Sequence, residues 1–262
     1  MIDRSSLSPS TLTLTALQGL PEVTEGMALA PLIAQALERQ GLAPAVEDAL
    51  LVGQKVISKS EGRFVDLASI EPCARALELA GRCAKDPRLV EVILRESTEV
   101  VRCAPQVLIV RHRLGLVMAN AGVDQSNVPG AESRVLLLPK DPDASADALR
   151  RALAAILGAA PAVIVTDTFG RPWRLGVCGV AIGASGITTL LDRRGELDRC
   201  GRELKVTQVA VADALAAAAA LVMGEGAEGR PVVLAQGLSK GLMHATARAA
   251  DLVRPPAEDL FR

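Results

Sequence analysis

Polar and apolar positions alternate along Thr11 to Leu17 (TLTLTAL), the mark of a half-buried strand that Gly19 and Pro21 bring to an end. A helix is expected from about Ala28 to Gln40. Ala49 to Ser58 (ALLVGQKVIS) is apolar and partly β-branched and reads as one strand, and Ile70 to Cys83 and Pro87 to Ser97 read as helical. Val107 to Val110 and Leu114 to Ala119 suit a hairpin pair, and Arg134 to Pro139 a short buried strand. Asp143 to Leu157 is the pattern of a helix with Asp and Ser near its start as capping candidates. Two more strands are expected, at Ala162 to Thr166 (AVIVT) and Leu175 to Ile182. The Ala-rich run Val206 to Met223 then reads as a buried helix, and Pro231 to Ala235 (PVVLA) completes the sheet. Strands and helices alternate irregularly, so a mixed α/β (α+β) fold is predicted in preference to regular βαβ repeats. No linker marks a boundary, and a single domain over residues 1–262 is expected, with room for two subdomains.

Composition narrows the function. Half of the 262 residues are hydrophobic, which suits a sizeable packed core and argues against disorder. The formal net charge of -1 supplies no broad basic field, and three Phe, one Trp and no Tyr make a poor base-stacking platform, so nucleic acid is not an expected partner. Met1 to Ser10 lacks the apolar core of a signal peptide. Thr207, Gln208 and Asp213 interrupt the most apolar run, so no membrane span is expected there. Five cysteines without a CxxC pair suit reduced thiols in a cytoplasmic protein, and two histidines argue against a His-rich zinc centre.

Four polar clusters stand at the ends of apolar segments. In the first, Gln54, Lys55, Lys59 and Arg63 surround Gly62, cations beside permissive backbone that suit a phosphate as well as a solvated strand end. The second is Asn120 to Asn127 (NAGVDQSN), where Asp124 lies among turn-forming residues. In the third, Asp167 and Thr168 follow an apolar strand, where a hard cation is commonly held, and the loop Phe169 to Arg174 carries the only Trp beside two Arg. The fourth, Met223 to Arg230 (MGEGAEGR), combines three glycines with two carboxylates, suiting ligand contact or a plain helix stop. No Walker A, GxGxxG or GxSxG pattern is present. The residues alone suggest Asp124, Asp167 and Glu225 around one or two divalent ions with cations nearby, an arrangement suited to phosphoryl transfer.

Taken in order, Leu20-Pro-Glu-Val23, Ser58-Lys-Ser-Glu-Gly-Arg63, Asn120 to Asn127, Asp167 to Arg174 (DTFGRPWR), Met223 to Gly229 and Asp259-Leu-Phe-Arg262 resemble the coenzyme F420-0:L-glutamate ligases, from about Thr13 onwards. The resemblance implies a GTP-dependent enzyme that adds L-glutamate to F420-0 by an amide bond and then a γ-glutamyl link, through an acyl phosphate. It implies two divalent cations, Mn²⁺ or Mg²⁺, with K⁺ as a monovalent cation, and an intertwined homodimer. Carried over by position, Asp124 and Asp167 resemble the ligands of one metal, through which they would act in catalysis, and Thr168 and Glu225 those of the second. Glu225 stands where the family often has Gln. Leu20, Pro21, Glu22, Val23, Gln54, Lys55, Lys59, Asn127, Met223, Gly224, Glu225, Gly226, Ala227, Glu228, Gly229 and Arg230 resemble the nucleotide contacts. Two other readings stay open: a ligase of the same fold with another carboxylate acceptor, and a nucleotide-binding regulatory protein without catalysis.

Overall fold

The computed structural model describes residues 11–127, 133–244 and 246–259. At its centre lie β2 (Ala49–Gly53), β8 (Ala162–Arg171) and β12 (Val232–Gln236), whose inner positions are wholly buried on both faces. That double burial is why the sequence shows them as continuous apolar runs without alternation. With β1 (Thr13–Ala16) and β9 (Arg174–Ser185) they form a five-stranded sheet in the order β1-β12-β2-β8-β9. The β2–β8 pair is parallel and the other three pairs are antiparallel.

Successive residues of a strand face opposite sides, so one sheet feeds two cores. Leu50, Val52, Val163, Val165 and Leu234 pack against α1 (Leu29–Arg39) and α5 (Pro142–Leu157) through Ile33, Leu37, Leu149 and Leu153. Leu51, Ile164, Val233 and Ala235 meet Leu215, Ala216 and Ala219 of α6 (Val211–Met223) on the other side. Two glycines of β9 make these contacts close. A Cβ on Gly179 would fall under 3.0 Å from the Ala216 backbone of α6, and one on Gly183 would meet Pro142 of α5. The ends of α5 are set locally: Asp141 accepts a hydrogen bond from the Ala144 amide at 3.0 Å, Pro142 opens the first turn, and Gly158 closes it at φ 70°.

A third core joins α3 (Ala74–Cys83) and α4 (Pro87–Arg95) to two small sheets. One sheet contains β4 (Ser97–Ala104), β5 (Val107–His112) and β6 (Val117–Ala119); the other pairs β3 (Phe64–Asp66) with β7 (Arg134–Leu136). Between α4 and β4, Glu96 receives Arg63 at 3.0 Å and Arg113 at 3.2 Å, with the buried His112 ring at 3.5 Å. A further pair, β10 (Leu190–Asp192) and β11 (Gln208–Ala210), precedes α6.

The α+β class and most elements agree with the sequence reading, and several details differ, among them the unanticipated short strands β3 and β10. The strand expected over Ala49 to Ser58 stops at Gly53, where α2 (Gln54–Ser60) begins. Its buried residues Gln54, Ile57 and Ser58 fall at helical spacing, which a short apolar run conceals. Strand β8 runs past Thr166 to Arg171, so the segment 167–171 is strand and only Pro172 and Trp173 turn into β9. Helix α6 starts at Val211, because Gln208–Ala210 pairs with β10. Strand β4, with charges at Glu99 and Arg102 and two register shifts against β5, has no clean alternation and was not anticipated. Near the C-terminus, 3-10 turns at Ala249–Leu252 and Pro256–Glu258 lead to Asp259; Leu260, Phe261 and Arg262 of the last motif lie outside the described residues, as do Met1 to Ser10. The five cysteines are free thiols, and among the described residues no helix is long and apolar enough to cross a membrane.

Candidate active site

The sheet register brings four distant segments to one edge. Gly53 of β2 pairs with Thr166 of β8, so Gln54 and Lys55 emerge beside Asp167 and Thr168. Strand β12 runs the other way and its first residue, Val232, pairs with Val52, so the loop 223–231 enters at that edge. The Gly53 amide donates to the Pro231 carbonyl at 2.8 Å, and the Leu17 amide to the Val232 carbonyl at 2.8 Å, which leads residues 20–23 to the same place. The edge is the C-terminal end of the parallel pair β2–β8, a usual location for ligands in such sheets.

A cavity of about 690 Å³ opens there. Its walls include Leu20, Pro21, Glu22, Val23, Gln54, Lys55, Lys59, Asp124, Asn127, Asp167, Thr168 and every residue from Met223 to Arg230. All of the site positions carried over by resemblance therefore share one cleft. Arg63, Arg171, Trp173 and Arg174 do not contribute to its walls. Arg63 is bound to Glu96 and to the Leu138 carbonyl, which corrects its reading as a phosphate cation. Trp173 stands 89% exposed at the tip of the β8–β9 hairpin, and the segment expected as a loop from Phe169 to Arg174 is strand except at Pro172 and Trp173.

Asp167 and Thr168 lie within β8, just beyond a register shift between Val165 and Thr166 in the pairing with β9. Such irregularities re-aim side chains. Burial pushes the Asp167 carboxyl up to about 7; the Thr168 amide and Lys55 oppose this, while Asp124 and Glu225 add to it through their charges. Asp124 is fixed by its backbone, which exchanges hydrogen bonds with Leu136 at 3.0 and 2.8 Å. Burial would raise its carboxyl too, but Lys55 and the Ser126 amide and hydroxyl hold it below the ordinary carboxylate range. Lys55 Nζ is 2.6 Å from Asp124 Oδ2 and 2.6 Å from Ser126 Oγ. The buried Lys59 pairs with Glu22, and Gln54 Oε1 accepts from Ser58 Oγ at 2.9 Å.

The two carboxylates of the glycine-rich loop have separate roles. Glu225 Oε2 accepts a hydrogen bond from Thr168 Oγ1 at 3.3 Å. Glu228 turns back on its own loop and accepts the Gly226 amide at 2.8 Å, against Gly224 at φ 79°. Glu225 is thus the loop carboxylate that meets Thr168 in the cleft. Oxygens from Asp124, Asp167, Thr168 and Glu225, of which Asp167 is half-buried and has its charge disfavoured by Asp124 and Glu225, are hard donors of the kind that suit Mg²⁺ or Mn²⁺. Among the described residues, no three His, Cys, Asp or Glu side chains stand close enough to hold one ion together. The Lys55 ammonium already neutralises one of the donors.

Three features of the cleft carried no separate assignment in the sequence reading. Ser126 bridges Lys55 and Asp124. Phe169 and Met118 supply apolar wall. Asn120 and Ala121 adopt left-handed backbone at φ 54° and 53°, followed by Gly122 at 66°, and Asn120 Oδ1 is buried without a hydrogen-bond partner. The Asn-Ala-Gly triplet contains two residue types that tolerate this region, which was the available signal.

The family model described as F420-0:Gamma-glutamyl ligase matches residues 19–237, which takes in all of these walls. The chain belongs to that family. A coenzyme F420:L-glutamate ligase of Methanopyrus kandleri is 49% identical over 243 residues, covering 92% of this chain and 94% of the relative. The protein of that name from Methanothermobacter thermautotrophicus is 42% identical over 251 residues, covering 96% and 99%. The one from Haloarcula marismortui is 43% identical over 253 residues, covering 94% of each. Family membership and the shared cleft make these positions the ones to test.

Proposed function

We propose that this chain is a GTP-dependent ligase that adds L-glutamate to F420-0, first by an amide and then by a γ-glutamyl link. The observation that carries this reading is the convergence of Asp124, Asp167, Thr168 and Glu225 with Lys55 and Lys59 in one cleft of a chain from this family. In the proposed reaction a terminal carboxylate oxygen of the acceptor attacks the γ-phosphorus of GTP, and the bond to the β-phosphate oxygen breaks to release GDP. The glutamate nitrogen then attacks the acyl carbon, phosphate leaves, and the nitrogen gives up a proton.

The chain's own contribution is charge and position. Lys55 and Lys59 place two ammonium groups at the wall where an anionic nucleotide would lie. The loop Met223 to Arg230 offers backbone amides to phosphate or base. Asp124 and Asp167 would hold one divalent cation and Thr168 and Glu225 a second. When bound, these ions would neutralise charge shared between phosphate and carboxylate, which otherwise repel. K⁺ enters the proposal as a third cation with no residues assigned. A homodimer is also proposed: Trp173 (89% exposed), Leu175 (100%) and Val177 (55%) leave the β8–β9 hairpin with an apolar surface that a second copy would cover.

The test is GDP release from purified protein with GTP and Mn²⁺, with F420-0 and L-glutamate each present or omitted, in K⁺ and in choline, followed by mass spectrometry. GDP that requires both substrates, with a product heavier by glutamate, supports the ligase. GTP binding without turnover on F420-0 moves the search to other carboxylate acceptors.

A further inference from the structure

Lys55 occupies an unusual position for a cation expected to meet a nucleotide. It lies in the first turn of α2, its side chain is 32% exposed, and its ammonium is engaged within the protein. Nζ is 2.6 Å from Asp124 Oδ2 and 2.6 Å from Ser126 Oγ. The remaining capacity of Asp124 is also in use. Oδ2 accepts the Ser126 hydroxyl at 3.0 Å, and Oδ1 accepts the Ser126 amide at 2.7 Å. The carboxylate that should contribute to a cation site is therefore closed by a cation of the chain itself.

The two cations compete for one carboxylate. A divalent ion bound to Oδ2 at a ligand distance of about 2.0–2.6 Å would lie within roughly 5 Å of Nζ in its present place. Two positive charges that close, in a cleft only partly open to water, repel strongly. The flexible four-carbon stem of lysine lets Nζ leave without moving α2. Its alternative partner must be another anion at the same wall, and phosphate is the group that the cavity is proposed to receive.

We propose that Lys55 is a built-in counter-ion that closes Asp124 in the ligand-free protein and transfers to nucleotide phosphate as a divalent cation takes its place. Each ligand then favours the other: phosphate draws Lys55 away and opens the metal site, and metal releases Lys55 for phosphate. Linkage requires that this coupling be reciprocal. The consequence is a protein that binds divalent metal weakly until nucleotide is present. The inference rests on the proposed metal assignment and adds to it an order-independent coupling located in one side chain.

The test is Mn²⁺ binding to the full chain without nucleotide, followed by the electron paramagnetic resonance signal of free Mn²⁺, for wild type, Lys55→Gln, Lys55→Arg and Asp124→Asn. Lys55→Gln is expected to bind Mn²⁺ about ten-fold more tightly than wild type, within the usual range of coupling between sites. Lys55→Arg, which keeps the cation, should stay near wild type, and Asp124→Asn should weaken binding. Equal or weaker Mn²⁺ binding by Lys55→Gln, with Asp124→Asn still impaired, overturns the role of Lys55 and leaves the metal assignment standing. Binding that is indifferent to Asp124→Asn, or absent from every protein, overturns the metal assignment and this inference together.

Discussion

Replacing Glu96 by Gln removes the anion that faces Arg63, Arg113 and the ring of His112 while preserving the shape of the side chain. The carboxylate is only 13% exposed. Burial works against its charge, yet the nearby His112 ring and the two guanidinium groups hold the carboxyl at about 2, where 4.5 is ordinary. That gap corresponds to about 3 kcal/mol of native-state preference for the ionised form. Because the native value is depressed, the contribution is fully present above about pH 4.5 and disappears as pH falls towards 2. At pH 3 about 1 kcal/mol of it should remain. Glutamine resembles the protonated acid, so Glu96→Gln should destabilise the protein by about 3 kcal/mol at pH 7 and by about 1 kcal/mol at pH 3. Urea unfolding at the two pH values, with reversibility checked, measures both differences. An equal loss at pH 7 and pH 3 would falsify the electrostatic account and leave only packing or hydrogen-bond geometry as the cause.

Three further outcomes are expected. Asp167→Asn should abolish turnover and leave the melting temperature within a few degrees of wild type, since the exchange is isosteric and removes no core contact; full activity in a folded variant would sink the metal assignment. Glu225→Gln should retain ligase activity but require more Mn²⁺, which a metal titration of initial rate would reveal; an unchanged requirement would remove Glu225 from the donor set. Gly179→Ala should cost about 1–3 kcal/mol, because its new Cβ meets the Ala216 carbonyl of α6, and a urea midpoint equal to wild type would show that α6 can shift freely.

Much of this molecule could be read before its structure was described. The runs LLV, VIV and VVL lie at the sheet centre because burial on both faces leaves no polar position in them. Helix α4 was expected from Pro87 and α5 to Leu157, as found, although the cap of α5 is Asp141 and not Asp143 or Ser145. What escaped depended on distant partners. Gln54 to Ser60 contains Val56 and Ile57, which favour a strand in isolation, and only burial of one face makes the segment a helix. The site residues were named from resemblance, but the register that sets Gly53 against Thr166, and so Lys55 near Asp167, is not written in any one segment. Nor did the sequence reveal that Arg63 serves Glu96 across 33 positions of chain, or that Glu228 folds onto its own loop.

The place of β12 bears on how the protein comes into being on the ribosome. Residues 232–236 are among the last strand residues to be synthesised, yet they form the strip between β1 and β2. Until they emerge, β1 has no neighbour in the sheet, and the loop from Met223 to Arg230 has only α6 to hold it. A nascent chain halted after α6 would already contain both layers of helix and most of the apolar residues, but its cleft would lack two walls. The cleft is therefore a late product of synthesis, and ligand capture by nascent chains of graded length should begin only once β12 is free to insert.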